Sequence, residues 1–185
     1  MRLTHSETQQ HEMRYAHYDG APGILVSGSI WIGAALVSQQ LSVNKAVWVL
    51  LIGGALIYPI SLLVTKALGR PATTDKSNAL NQLAMASTIW LIVCCAMAYG
   101  LYLFRPALFF PAMMATIGCR YLIFANIYGR SIFWVFGATL VVAASIAFYV
   151  ALPPTLAAGL GGLIELLFAF LVFSKASSTE IIARA

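Results

Sequence analysis

Two residues of opposite charge stand inside otherwise apolar runs, Arg120 within 107–128 and Glu165 within 154–174. A guanidinium can hold an anionic or carbonyl group through parallel hydrogen bonds, and a carboxyl can take up a proton or a cation. Each lies ten residues before a basic residue that marks the end of its run, Arg130 and Lys175. At about 1.5 Å per residue, both sit about 15 Å from the same membrane face, near the middle of a hydrocarbon core about 30 Å thick. Their common depth predicts that they pair. An arginine at the centre of a spanning helix costs about 2.5–3.5 kcal/mol, so a partner or access to water is required. Two readings stay open: a structural lock that fixes helix register, and a polar cavity in which Arg120 and Glu165 together bind a small molecule.

Other residues are placed to line such a cavity. Ser27, Trp31 and Ser38 share one stripe of their helix, as do Ser87, Trp90 and Cys94. Pro59 frees the carbonyl of Ala55, and Tyr58 can bring a hydroxyl to the level of the charges. Tyr121 adjoins Arg120, and Asn126 lies between Arg120 and the nearer face. The candidate ligand contacts are therefore Arg120, Glu165, Tyr58, Tyr121, Asn126, Trp31 and Trp90. Ala158, Gly161, Gly162 and Ala169 stand at i−7, i−4, i−3 and i+4 of Glu165, so its side of the helix is the one a neighbour can approach closely, and Glu165 is expected to point inward. No GxSxG, HExxH or phosphate-binding loop occurs, which leaves no catalytic residue, metal ligand or cofactor to assign.

The elements that must position these groups follow from composition. The chain has 185 residues, of which 61% are apolar and 9% charged, against about 25% charged in soluble domains. Its mean hydropathy is +0.85. Six apolar spans are expected, over Pro22–Leu41, Ala46–Leu68, Ala79–Phe104, Ala107–Tyr128, Ser131–Leu152 and Pro154–Ser174. Short corners make sequence neighbours antiparallel, giving an all-α membrane bundle of three helical hairpins. Residues 1–21 precede this 22–174 domain as a short interfacial helix, with Thr4 and Glu7 as a capping box and Gly20 as its stop, and 175–185 follow as a tail. The polar start and the length of the first span argue for a retained anchor and against a cleaved signal.

Eight basic residues (Arg2, Arg14, Lys66, Arg70, Lys76, Arg130, Lys175, Arg184) fall on the face that carries the termini, and two (Lys45, Arg105) on the other. This imbalance places both termini in the cytoplasm. The net charge of +5 is spread over the ends of apolar runs, unlike a nucleic-acid surface, so the expected partners are the bilayer and a small-molecule ligand, with assembly of several copies left open. Cys94, Cys95 and Cys119 all lie within spans as filler. A faint internal repeat sets Ser27–Trp31 beside Ala86–Trp90, with Gly54 and Gly118 midway along the following helices.

Several stretches carry a resemblance: His17-Tyr18-Asp19-Gly20-Ala21-Pro22-Gly23, Tyr58-Pro59, Gly69-Arg70-Pro71, Arg105-Pro106, Phe109-Phe110-Pro111-Ala112-Met113, Gly118 with Arg120-Tyr121, and Tyr128-Gly129. Together they resemble a family of small bacterial integral membrane proteins of unknown function, over about residues 15–150. The resemblance implies a polytopic protein of a bacterial inner membrane and brings no activity. On the residues alone, the leading expectation is binding or translocation of a small, anionic or lipid-like molecule around Arg120 and Glu165. The alternatives are an intramembrane enzyme acting on a lipid-soluble substrate and a non-catalytic scaffold.

Overall fold

The computed structural model describes the backbone of residues 5–184 and the side chains of residues 6–176. Among these the chain is helical throughout: α1 (His5–His17), α2 (Ala21–Gln40), α3 (Val43–Ala67), α4 (Ala79–Phe104), α5 (Phe109–Tyr128), α6 (Ile132–Tyr149) and α7 (Pro154–Arg184), with 3-10 turns at Tyr18–Gly20 and Pro106–Leu108. Six stretches are long and apolar enough to cross a membrane, the first being α2 continued back into α1. The protein is a multi-pass membrane bundle. The Thr4 half of the expected capping box lies outside the described residues.

Local chemistry sets the ends of these helices. Ser42 caps α3 by accepting from the backbone N–H of Lys45 at 3.3 Å, and Asn78 caps α4 by accepting from Leu80 at 3.0 Å. Pro22 lies in the first turn of α2, where a missing N–H is harmless. Pro59 lies inside α3, which continues unbroken through it.

Of the consecutive spans, α2 packs on α3, α4 on α5 and α5 on α6, whereas α6 meets α7 sparsely and α3 hardly touches α4; the most extensive contacts are α2 with α7 and α5 with α6. Both depend on missing side chains. A Cβ on Gly137 would stand 2.6 Å from the carbonyl oxygen of Gly118, and one on Gly118 would stand 2.9 Å from that of Gly137. Along the other seam, a Cβ on Gly161 would meet the Trp31 ring at 2.9 Å, one on Gly162 the Ile32 side chain at 2.8 Å, and one on Gly28 Leu166 at 3.0 Å. In lipid, where burying apolar surface against another helix gains little, such close approach is what holds helices together.

α3 and α4 stand at the periphery. They touch through Asn44, whose amide donates to the Tyr102 hydroxyl at 3.0 Å, and through the Trp48 and Tyr99 rings at 5.7 Å. Toward the terminal face each presents large apolar side chains outward, Leu56 and Leu63 on α3, Met85 and Ile89 on α4. The repeat noted in the sequence has no counterpart in this packing, since Trp31 is buried, Trp90 and Trp134 face outward, and the Cβ position of Gly54 is empty.

The amphipathic opening segment does not rest on lipid alone. α1 crosses the terminal face and supplies donors to α5, whose last carbonyls have no intrahelical partner. Gln10 donates to the Asn126 carbonyl and Arg14 to that of Tyr128, both at 2.8 Å. Glu12 accepts from the Asn78 amide at 2.8 Å, and Ala72 N–H donates to the Ala16 carbonyl at 3.0 Å. Met13 is buried. The link to α2 turns through three left-handed residues, Tyr18 and Asp19 at φ 53 and Gly20 at φ 78. Asp19 does not cap α2; its carboxylate pairs with Arg130 at 3.2 Å, tying the turn to the end of α5.

This packing makes a prediction that a purified sample can check. Gly137→Ala should destabilise the fold by about 1–3 kcal/mol in thermal or denaturant unfolding in detergent, because the α5–α6 backbones must separate. Gly54→Ala, with open space at its Cβ, should be neutral or stabilising by up to about 1 kcal/mol. Equal effects at the two positions would show that the α5–α6 contact is not what holds these helices.

Candidate functional site

Glu165 is where its helix face predicts, turned inward and 1% exposed, with Ala158 and Ala169 buried on the same side. The α2–α7 seam runs antiparallel, Trp31 over Gly161 and Ser38 hydrogen-bonded to Thr155 at 2.8 Å, and this register brings Ser27 to the level of Glu165. The third wall is α5. Tyr121 donates its hydroxyl to Glu165 Oε1 at 3.3 Å, and the Ser27 hydroxyl approaches both groups.

Tyr121 is held for this role by a stack of rings. Its ring lies on Phe136 of α6 at 3.9 Å between centroids, and the Phe136 ring lies on Phe168 of α7 at 4.4 Å. Phe168 is one turn beyond Glu165, so the stack bridges the three helices that surround the carboxyl. The second carboxyl oxygen, Oε2, is buried with no hydrogen-bond partner, and so is Trp31 Nε1 one turn along α2 from Ser27.

Arg120 is elsewhere. Its guanidinium leaves α5 on another side, donates from Nη2 to the Thr88 hydroxyl of α4 at 3.0 Å and lies over the Phe124 ring at 5.2 Å. Among the described residues no ion pair joins Arg120 to Glu165; the expected pairing is corrected to two separate contacts, Tyr121 with Glu165 and Arg120 with Thr88. Depth along the helix was legible, but adjacent residues are about 100° apart around the axis, and it is Tyr121 that faces α7.

The model of a family of unknown function, DUF7010, matches residues 6–175. The chain belongs to this family. No curated protein and no solved structure gives a significant match. The matched region includes every element described above, from α1 to the end of the apolar part of α7.

The remaining candidates divide. Trp31 and Tyr121 are brought to the Glu165 cluster. Tyr58 stands 68% exposed on α3 and Trp90 55% exposed on α4, both outside it. Asn126 is exposed at the terminal face and engages Gln10 through its backbone carbonyl, so it does not bridge Arg120 to water from within the bundle. Ser87 is buried and bonded to the Ala84 carbonyl of its own helix. Two apolar surface grooves, about 240 and 550 Å³, lie away from both charges, one between α4, α5 and α6 and one along α6.

Sequence reasoning missed two features. Ser27 was read only as part of a stripe, although that stripe and the small face of Glu165 together indicate the α2–α7 seam. The Asp19–Arg130 pair was missed because Arg130 was read as an end marker; the unmet carbonyls at the close of α5 were the available signal.

Removing the Tyr121 hydroxyl takes from a buried carboxyl the donor on Oε1 and leaves it the Ser27 hydroxyl as its polar neighbour. Tyr121→Phe should therefore cost about 1–3 kcal/mol of unfolding free energy, and much less in a Glu165→Leu background where no acceptor remains. Strictly additive effects in this double-mutant cycle would mean that the hydroxyl and the carboxyl do not interact.

Proposed function

We propose that this protein binds and translocates a small molecule across a bacterial inner membrane, with both termini in the cytoplasm and Glu165 taking up a proton or a cation during transfer. The single observation that supports this is the state of Glu165: a carboxyl 1% exposed, inside a span, one oxygen held by Tyr121 and the other without a partner. A carboxyl fixed for structure alone would be expected to have both oxygens matched, since an unmet buried polar atom is costly. An open oxygen is the position a proton or cation would occupy, and intramembrane carboxyls in general mark such pathways.

Two further features fit this reading. Tyr121 and Ser27 are hydroxyls able both to donate and to accept, so the carboxyl can gain or lose charge without losing its neighbours. The α2–α7 seam, with Gly28, Gly161 and Gly162 packed against Leu166, Trp31 and Ile32, holds Ser27 at the carboxyl and keeps the site away from lipid. The lock reading loses the contact it required, because Arg120 is bonded to α4. The imbalance of basic residues, eight on the terminal face against two, supports the orientation.

Reconstitution in liposomes enclosing a pH-sensitive dye gives the test. Gradients of cationic, neutral and anionic solutes are imposed in turn, and at least one should drive a luminal pH change in wild-type vesicles that falls at least about tenfold in Glu165→Gln, a variant that keeps the shape and removes the titratable group. If no gradient moves protons, or sodium read with a sodium-sensitive dye, in wild type, or if Glu165→Gln transports equally well, the proposal is wrong.

A further inference from the structure

Arg120 poses a separate problem, and its solution does not rest on the Glu165 reading. It lies mid-span on α5, partly exposed at the α4–α5 seam, with its guanidinium carried back toward the terminal face as far as Phe124. Thr88, the partner of Arg120, lies nine residues into α4 from the same face, so the charge stands about 13 Å inside it, below the depth at which an arginine side chain is fully returned to the headgroups. Thr88 supplies one neutral acceptor, and Arg120 Nε is buried with no partner at all.

No carboxylate among the described residues is paired with it. The six acidic residues are Glu7, Glu12, Asp19, Asp75, Glu165 and Glu180, and only Glu165 lies within a span. Glu165 is enclosed by α2, α5 and α7 and bonded to Tyr121. A second copy of the chain, packed against the α4–α5 seam, offers the same six residues and again presents no acid at this depth. Among the described residues the guanidinium therefore has a neutral hydroxyl and an aromatic ring beside it and no ionic partner.

We infer that Arg120, with Thr88, binds the anionic headgroup of an amphiphile that enters sideways from the bilayer and lays its apolar tail along the outward face of α4. The headgroup chemistry is a carboxylate or a phosphate, either of which accepts parallel hydrogen bonds from a guanidinium. The Thr88 hydroxyl gives its proton to the Ala84 carbonyl at 3.0 Å and accepts from Arg120, so its part is to position the guanidinium for the headgroup. The tail meets Ile89 and Ile92, exposed apolar side chains that follow Thr88 on the same helix toward the bilayer centre. A free inorganic anion has the charge but gains nothing from that surface, and a zwitterionic lipid has the tail but carries a quaternary ammonium beside its phosphate, which cancels the net charge that Arg120 selects.

Purified protein in a neutral detergent allows these to be separated by thermal stability. The probes are palmitate, phosphatidylglycerol, phosphatidylcholine and sodium phosphate. Palmitate or phosphatidylglycerol, at about a hundred times its apparent Kd, should raise Tm by roughly 5 °C, and which of the two acts identifies a carboxylate or a phosphate headgroup. Phosphatidylcholine and sodium phosphate should give no comparable rise. Arg120→Gln should weaken the effective probe by about 10- to 100-fold, and Arg120→Lys should retain part of the effect.

Should Arg120→Gln not fold, Thr88→Val should weaken binding several-fold, and the lipids that remain bound to wild type in native mass spectrometry should be enriched in anionic species over the membrane they came from. The inference fails if neither anionic amphiphile shifts Tm, if phosphatidylcholine or sodium phosphate shifts it equally, or if the shift survives in Arg120→Gln or in a foldable Thr88→Val undiminished. A transport failure of Glu165→Gln leaves this result untouched, and the converse also holds.

Discussion

The contact on which the rest of the structure depends is the antiparallel seam between α2 and α7. Nothing in a bilayer drives two apolar helices together as water does, because lipid tails solvate leucine as well as another helix does. Association has to come from close approach and from hydrogen bonds. Gly28, Gly161 and Gly162 bring the two backbones close enough for Trp31 and Ile32 to lie directly on the facing helix. That approach is also what carries Ser27 to Glu165 and closes water and lipid away from the carboxyl. The glycine seam and the buried acid are therefore one feature: a bulkier seam would hold α2 off, and the carboxyl would lose its enclosure before it lost its helix.

A second layer follows from the first. With α2 and α7 fixed, the Phe168–Phe136–Tyr121 stack sets the distance of α6 and α5 from the carboxyl, and the Gly118–Gly137 contact lets α5 and α6 come near enough for the stack to close. α1 then holds the end of α5 through Gln10, Arg14 and the Asp19–Arg130 pair. What remains outside is α3 and α4, joined to each other at Asn44–Tyr102 and to the core along one side each. The bundle thus has four closely packed spans and two looser ones, a division that hydropathy does not show, since all six are similarly apolar.

That division explains how much was legible beforehand. The number of spans, their ends and the inward turn of Glu165 follow from local composition, because a spanning helix must satisfy its own backbone whatever surrounds it. The azimuth of α5 did not follow. Among its buried positions Met114, Gly118, Tyr121, Ala125 and Tyr128 form one stripe, spaced four, three, four and three apart, and this stripe was present in the sequence. Reading it would have put Tyr121, and not its charged neighbour, against α7. A charge in lipid demands a partner, but that demand fixes only that a partner exists, not that the chain provides it. The apparent repeat failed for a related reason: Trp31 and Trp90 occupy like places in their helices, yet a tryptophan suits a glycine seam and a lipid-facing surface equally well.

Placing the two charges on different sides of α5 has a physical cost that pairing would have avoided. Joined, each would have lowered the penalty of the other; apart, the bundle carries two incompletely matched groups at mid-depth, one enclosed by three helices and one open toward lipid. Replacing both by apolar residues would give a simpler membrane bundle, and buried ion pairs themselves often yield to apolar substitution without loss of stability. The arrangement makes sense where each group meets a partner that comes and goes, because a permanent internal clasp would compete with that partner. The sides on which the two groups lie decide what those partners can be. Glu165, reached only through packed helices, has room for a proton or a small cation, whereas Arg120, at a seam open to the bilayer, can take a group carried on an apolar tail.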